Sequence, residues 1–256
     1  MQNLMRAYEQ LYHNTNVSKG YKRNGDTLFL TDLSHFVGRI GTKYNDSDVK
    51  LLVVGRAING WTQLPTISAE SFAANAVQQF KTEPLEWVYN ESTHCLGNGN
   101  GYLLNKSPFW RTSMNVWKII SGNPNFIDTQ NNKWTDYIAW TNLFKIAPYD
   151  AGNPTIAMCK NQLESCKKIL VAEINILKPT HILFITGYDG WFKDFEKIFP
   201  SEFTTPQKNI CRGIGKNNIY AETTTISPNG TKIVVACRPE YRDEIAYIKD
   251  VCEKFK

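Results

Sequence analysis

Within DVKLLVVGRAINGW, residues Leu51 to Val54 form an unbroken apolar run that ends in two valines and is closed by Gly55. A strand with one wet face alternates apolar and polar residues, so a continuous run is expected to be buried on both faces, at the centre of a parallel sheet. Three more runs of this kind follow: YIAWTNLF, THILFITG and TKIVVACRP. Between the second and third, NQLESCKKILVAEINILKP sets Leu163, Cys166, Ile169, Leu170, Ile174 and Leu177 at three- and four-residue spacings. That pattern predicts an amphipathic helix stopped by Pro179. Strand, helix, strand over this length is a parallel crossover unit. Further helices are predicted near residues 4–12, 68–81 and 109–121, across GYDGWFKDFEKIF, and in the closing CRPEYRDEIAYIKDVCEKF. The expected fold is a three-layer α/β/α domain with a central parallel sheet of about four strands. The 256 residues suit one domain, 1–256, with residues 1–47 as an N-terminal helical extension.

Composition excludes several classes of protein. No run approaches the eighteen or so apolar residues that a membrane helix needs, and MQNLMRAYEQLYH does not read as a secretory signal. A cytoplasmic protein with no membrane partner is expected. The six cysteines include no CxxC pair, so reduced thiols are expected. Four histidines and no HExxH or Cys/His cluster argue against a metal site. The net charge of +5 tolerates a polyanionic partner without demonstrating one. RGIGKNN, residues 212–218, lacks the spacing of a phosphate loop and follows no strong strand signal.

Parallel sheets bind ligands beyond the carboxyl ends of their strands. That rule singles out GRAINGW after the first strand, Asn142 after the second, TGYDGW after the third and CRPEYR after the fourth. NESTHCLGNGNGYLLNKS, between the first two strands, is a candidate substrate-facing loop, or equally a plain solvated one.

Taken in order, YIAWTNLFKIAPYDAGNPT, NQLESCKKILVAEINILKPTHILFITG and VVACRPEYR resemble the uracil-DNA glycosylase superfamily. The likeness runs over roughly residues 48–252 and is nearest to the thermostable bacterial and archaeal branches. It implies a uracil-DNA glycosylase-like domain. In it Asn142 would bond the Watson–Crick edge of an extruded pyrimidine, since an amide can pair with a lactam N–H and its neighbouring carbonyl. The plainer reading is a strand-end asparagine capping a turn. GRAING matches the loop that family members place beneath the sugar and around the attacking water. Gly55 would allow close backbone approach, Arg56 would meet DNA, and Ala57 stands where relatives commonly carry Asp or Asn. Asn59 could position water but not deprotonate it. Asp150 is the nearest spare carboxylate by sequence, or a simple turn aspartate.

CRPEYR replaces the family's usual His-Pro-Ser. Arg238 would face the charge on the departing base, with Pro239 and Arg242 towards DNA, or else Arg238, Glu240 and Arg242 form a surface ion pair. Phe109 and Trp110 fall where relatives carry a ring that stacks on the target base, with core packing as the default for each singly. Trp61 could gate the same pocket. The four-iron cluster of thermostable relatives is not expected: the N-terminal CxxC is absent, Ile146 replaces one ligand, and Cys166 alone matches. No cofactor is therefore expected. The implied activity is hydrolytic removal of uracil or a related damaged base from DNA by a monomer. The alternative is a catalytically inactive superfamily member that binds DNA or a nucleobase.

Overall fold

All four predicted strand segments are extended, and they lie side by side in one sheet. The structure is a computed structural model that describes residues 1–15, 21–23, 26–58, 62–85, 107–129, 131–150, 152–204, 207–213, 216–240 and 242–256. For residues 21–23, 26, 27, 30, 207–213 and 216–223 it describes the backbone.

In chain order, the helices are α1 (Gln2–Thr15), α2 (Ala69–Thr82), α3 (Pro108–Ile120), α4 (Ile156–Leu177) and α5 (Glu244–Lys254). The strands are β1 (Tyr21–Arg23), β2 (Asp26–Leu28), β3 (Leu33–His35), β4 (Arg39–Ile40), β5 (Leu51–Gly55), β6 (Thr62–Gln63), β7 (Ile138–Asn142), β8 (Ile146–Pro148), β9 (His181–Ile185), β10 (Gln207–Gly213), β11 (Lys216–Ile226) and β12 (Lys232–Ala236). The chain divides into two compact units. The first comprises Met1–Arg39, Gly55–Glu83 and Thr141–Lys178; the second comprises Ile40–Val54, Pro84–Trp140 and Pro179–Lys256.

The second unit carries most of a seven-stranded sheet of order β10-β11-β12-β9-β5-β7-β4. The sheet is larger than expected, and it is mixed. β12 and β5 both pair parallel to β9, with Val235 opposite Phe184 and Val53 opposite Leu183. β10, β11 and β12 pair antiparallel, so an unpredicted hairpin extends the parallel centre. Gly213 pairs with Lys216 at the end of β10 and β11, so a strand does reach RGIGKNN, and it belongs to this antiparallel pair. β5, β9 and β12 are buried almost throughout, as continuous apolar runs require.

Helix α5, capped by Asp243 accepting from Ala246 N–H at 3.0 Å, packs on α3 and β12. Arg111 of α3 grips Glu244 of α5 through Nε and Nη2, at 2.9 and 2.8 Å to Oε2. The helix expected over GYDGWFKDFEKIF is instead two short pieces, Tyr188–Phe192 and Lys193–Ile198. The break falls at Asp189 and at Gly190, whose φ of 80° suits a residue without Cβ.

In the first unit α1 packs on both α2 and α4, so the N-terminal segment is part of that unit's core. A three-stranded antiparallel sheet, β6-β3-β8, completes it. Helix α4 starts at Thr155, whose hydroxyl accepts from Met158 N–H at 3.3 Å. It ends at Lys178, held at φ 46° directly before Pro179, which cannot extend a helix. The face that α4 buries differs from the apolar pattern in the sequence. Gln162, Cys166, Ile169 and Glu173 are fully buried, whereas Leu163 and Ile174 are only half-buried. Among the described residues, no helix is long and apolar enough to cross a membrane.

Candidate functional site

Asn142, the last residue of β7, is 2% exposed, and its Nδ2 finds no hydrogen-bond partner among the described residues. Side chains alternate along a strand. Thr141 turns towards α4 and donates to Glu173 Oε2 at 2.7 Å, so Asn142 takes the opposite direction.

The backbone that follows is fastened to the loop after β5. Leu143 N–H donates to Gly55 O at 2.9 Å, and Phe144 N–H to Arg56 O at 3.0 Å. Gly55, Arg56, Ala57 and Asn142 are therefore brought together in the first unit, with Gly55 buried and Arg56 and Ala57 half-buried. On the other side, Phe36 N–H donates to Lys145 O at 2.9 Å.

Behind this segment lies a polar network that sequence reasoning missed. Lys145 and Glu173 have no exposed side-chain surface, and Lys145 Nζ lies 3.1 Å from both Glu173 oxygens. Lys145 Nζ also donates to Thr141 Oγ1, and Tyr8 OH donates to Glu173 Oε1 at 3.5 Å. Gln162 Oε1 accepts from Lys145 N–H and Ile146 N–H at 3.0 and 2.9 Å, while its Nε2 donates to Ile146 O at 2.9 Å. Cys166 Sγ donates to the same Oε1, and burial pushes its thiol up to about 12. Burial, reinforced by the negative charge of Glu173, also raises the Tyr8 phenol well above its usual range. Two signals pointed to this network. One is a lysine inside the apolar NLFKIAP; the other is the 162-166-169-173 spacing, which aligns two polar residues with Cys166 and Ile169 on a single helical face.

Asp150 also belongs to the first unit. It is exposed and follows β8, after Tyr149 N–H has donated to Asp32 O. Phe109, Trp110, Arg238, Pro239 and Arg242 belong to the second unit. Trp110 is 2% exposed and packs edge-on against Trp140, with centroids 5.0 Å apart, and tilted on Trp134 at 6.1 Å. Phe109 is half-buried and meets Trp110 edge-on at 4.9 Å. Arg238 pairs with Glu240 through Nη2, and Arg242 Nε donates to Arg238 O at 2.8 Å. Pro239 O accepts from Arg242 N–H at 3.3 Å, so Arg238, Pro239, Glu240 and Arg242 are linked by local contacts. Asn59, Trp61 and most of the glycine-rich segment, residues 90–106, lie outside the described residues.

The described residues contain no group of three or more His, Cys, Asp or Glu placed to hold a metal ion. Cys166 and Cys252 are free thiols. Compared with known proteins, the chain matches no family model and no curated protein.

Proposed function

We propose that the chain is a uracil-DNA glycosylase-like hydrolase with a three-layer α/β/α fold, and that Asn142 pairs with a uracil-type base extruded from DNA. One observation carries the reading: a buried carboxamide at the carboxyl end of a central strand, beside the Gly55 loop, keeps its Nδ2 unpartnered. Leaving such a group unpaired costs roughly 1–3 kcal/mol, a cost that a ligand carbonyl would remove. A uracil-type ring offers that carbonyl next to a lactam N–H, which the Asn142 carbonyl oxygen can accept.

In the proposed reaction the glycosidic C1′–N bond breaks with its electron pair leaving on the base. The sugar gains oxocarbenium character, and a water oxygen bonds to C1′ and releases a proton. Ala57 supplies no base for that proton, so it passes to bulk water, from which the departing base anion takes one up, and the reaction balances as sugar hydroxyl plus neutral base. DNA is the macromolecular partner, and a monomer working in the cytoplasm suffices for this chemistry.

The test is release of uracil and other deaminated bases from single- and double-stranded oligonucleotides, read as abasic sites. Asn142→Ala should lower release by roughly ten- to hundredfold, the kinetic equivalent of one lost amide pairing. Wild-type yield no greater than that of Asn142→Ala across the whole panel would end the enzymatic reading. A second reading, a non-catalytic nucleobase or DNA binder, is favoured by Arg238 being engaged with Glu240 and by Ala57 in the first loop. It predicts DNA binding that weakens steeply with salt while no base is released.

A further inference from the structure

We infer that Thr141, Lys145, Gln162 and Glu173 are positioning residues. They form a buried brace whose work is to hold the Asn142 carboxamide at a fixed point and angle. The inference rests on the nucleobase-binding reading of Asn142 and assigns that site its support.

The geometry is specific to that task. Thr141 directly precedes Asn142, and its hydroxyl is caught between the two charges, donating to Glu173 Oε2 and accepting from Lys145 Nζ. Three residues after Asn142, Lys145 returns to the same carboxylate, so the ion pair staples the chain on both sides of the amide. Gln162 then fixes the next peptide by taking both N–H groups of residues 145 and 146 and donating to Ile146 O. Together with the carbonyls of Gly55 and Arg56 and the Phe36 N–H, the four residues 143–146 that follow Asn142 are held by contacts from three separate parts of the chain.

A purely stabilising core does not call for this chemistry. A buried ion pair is commonly matched or exceeded in stability by apolar residues of similar volume, so its presence alone is weak evidence of a stabilising role. What it supplies here is direction, because hydrogen bonds fix angles that apolar packing leaves loose. Gly38 shows how closely the carboxylate is confined: a Cβ there would lie 2.9 Å from Glu173 Oε1 and 3.1 Å from the Phe80 ring.

The test compares Thr141→Val, which keeps shape but removes the hydroxyl, with Thr141→Ser, which keeps the hydroxyl, in the full chain. Calorimetry with free uracil as the probe reads affinity and stoichiometry separately. Thr141→Val should weaken the dissociation constant tenfold or more at unchanged stoichiometry, Thr141→Ser should stay within about twofold of wild type, and Gln162→Leu should follow Thr141→Val. A purely structural role would lower stoichiometry or melting temperature while leaving the affinity of the folded fraction unchanged, and that result would overturn the inference. Should wild-type protein bind no uracil, the nucleobase reading fails by itself. The brace is then decided by the Asn142 side-chain amide signals in a ¹⁵N-correlated NMR spectrum. Two distinct, narrow Nδ2 proton lines in wild type and Thr141→Ser that broaden or merge in Thr141→Val support it; unchanged lines in Thr141→Val refute it.

Discussion

His35 should give the first unit a stability that declines on mild acidification. It lies in β3 with 6% of its surface exposed, edge-on to Phe72 at 5.3 Å, and its Nδ1 has no partner among the described residues. Its pKa is lowered from 6.5 to about 4, chiefly by burial, with backbone contacts from Gln63 and Thr62 opposing the shift and the nearby charge of Arg39 adding to it. Above pH 6.5 the ring is neutral in both the folded and unfolded chain, and pH does not matter. Between about 6.5 and 4 the unfolded chain takes up a proton that the folded one refuses, so stability falls as pH falls. The slope approaches about 1.4 kcal/mol per pH unit. The loss reaches about 2 kcal/mol at pH 5 and saturates near 3 kcal/mol below pH 4. Urea unfolding of wild type and His35→Leu at pH 7 and pH 5 isolates the effect, because subtracting the variant's own pH dependence removes carboxylates and other histidines. A difference below about 0.5 kcal/mol, or an NMR titration of folded His35 with a midpoint near 6.5, would refute the reasoning.

Lys145→Met should destabilise by about 3–5 kcal/mol in urea unfolding, because it leaves Glu173 fully buried without its cation; Lys145→Met combined with Glu173→Leu should recover most of that loss. Gly41→Ala should cost about 1–3 kcal/mol or more, since its Cβ would fall 2.3 Å from Thr135 O and 2.4 Å from Asp136 O, both backbone atoms that no rotamer change can clear. Arg111→Ala should cost at most about 1 kcal/mol despite its two-pronged grip on Glu244, because both side chains are about 30% exposed. Thermal melts should show that difference shrinking in 1 M salt.

The parallel core was legible because continuous apolar runs such as Leu51–Val54 have few other uses, and α4 because its period is helical and Pro179 ends it. The β10–β11 hairpin was not, for KNICRG and KNNIYAETT mix polar and β-branched residues in a pattern set by pairing with a neighbouring strand, which short-range periodicity does not encode. The break at Gly190 was hidden because GYDGWFKDFEKIF keeps helical spacing on both sides of a residue that costs little to bend. At the site, Asn142 and the Gly55 loop could be named from their places at strand ends. Glu173 and Gln162 were passed over despite the 162-166-169-173 spacing, because a polar residue on a helix is read as solvated by default. The facing Lys145, Thr141 and Tyr8 for Glu173, and the 145–146 peptide for Gln162, make their burial affordable.

The distribution of satisfied and unsatisfied groups supports the proposal that the Asn142 amide pairs with a ligand. The first unit buries Lys145, Glu173, Gln162, Thr141 and Ser34 and supplies hydrogen bonds to each. His35 and Asn142 are the two residues of that unit with a fully buried side-chain nitrogen left over among the described residues, and the two cases differ. A neutral imidazole can turn an unprotonated Nδ1 towards the Phe72 edge, leaving a bare lone pair; the lowered pKa of His35 fits a ring that stays neutral. A carboxamide has no such option, because Nδ2 carries two N–H donors in every state and their desolvation costs roughly 1–3 kcal/mol. A unit that satisfies a lysine, a glutamate and a glutamine a few residues away does not lack the means to satisfy an asparagine. The remaining cost is of the size that pairing with a ligand carbonyl returns, and this match is what supports the proposed nucleobase pairing at residue 142.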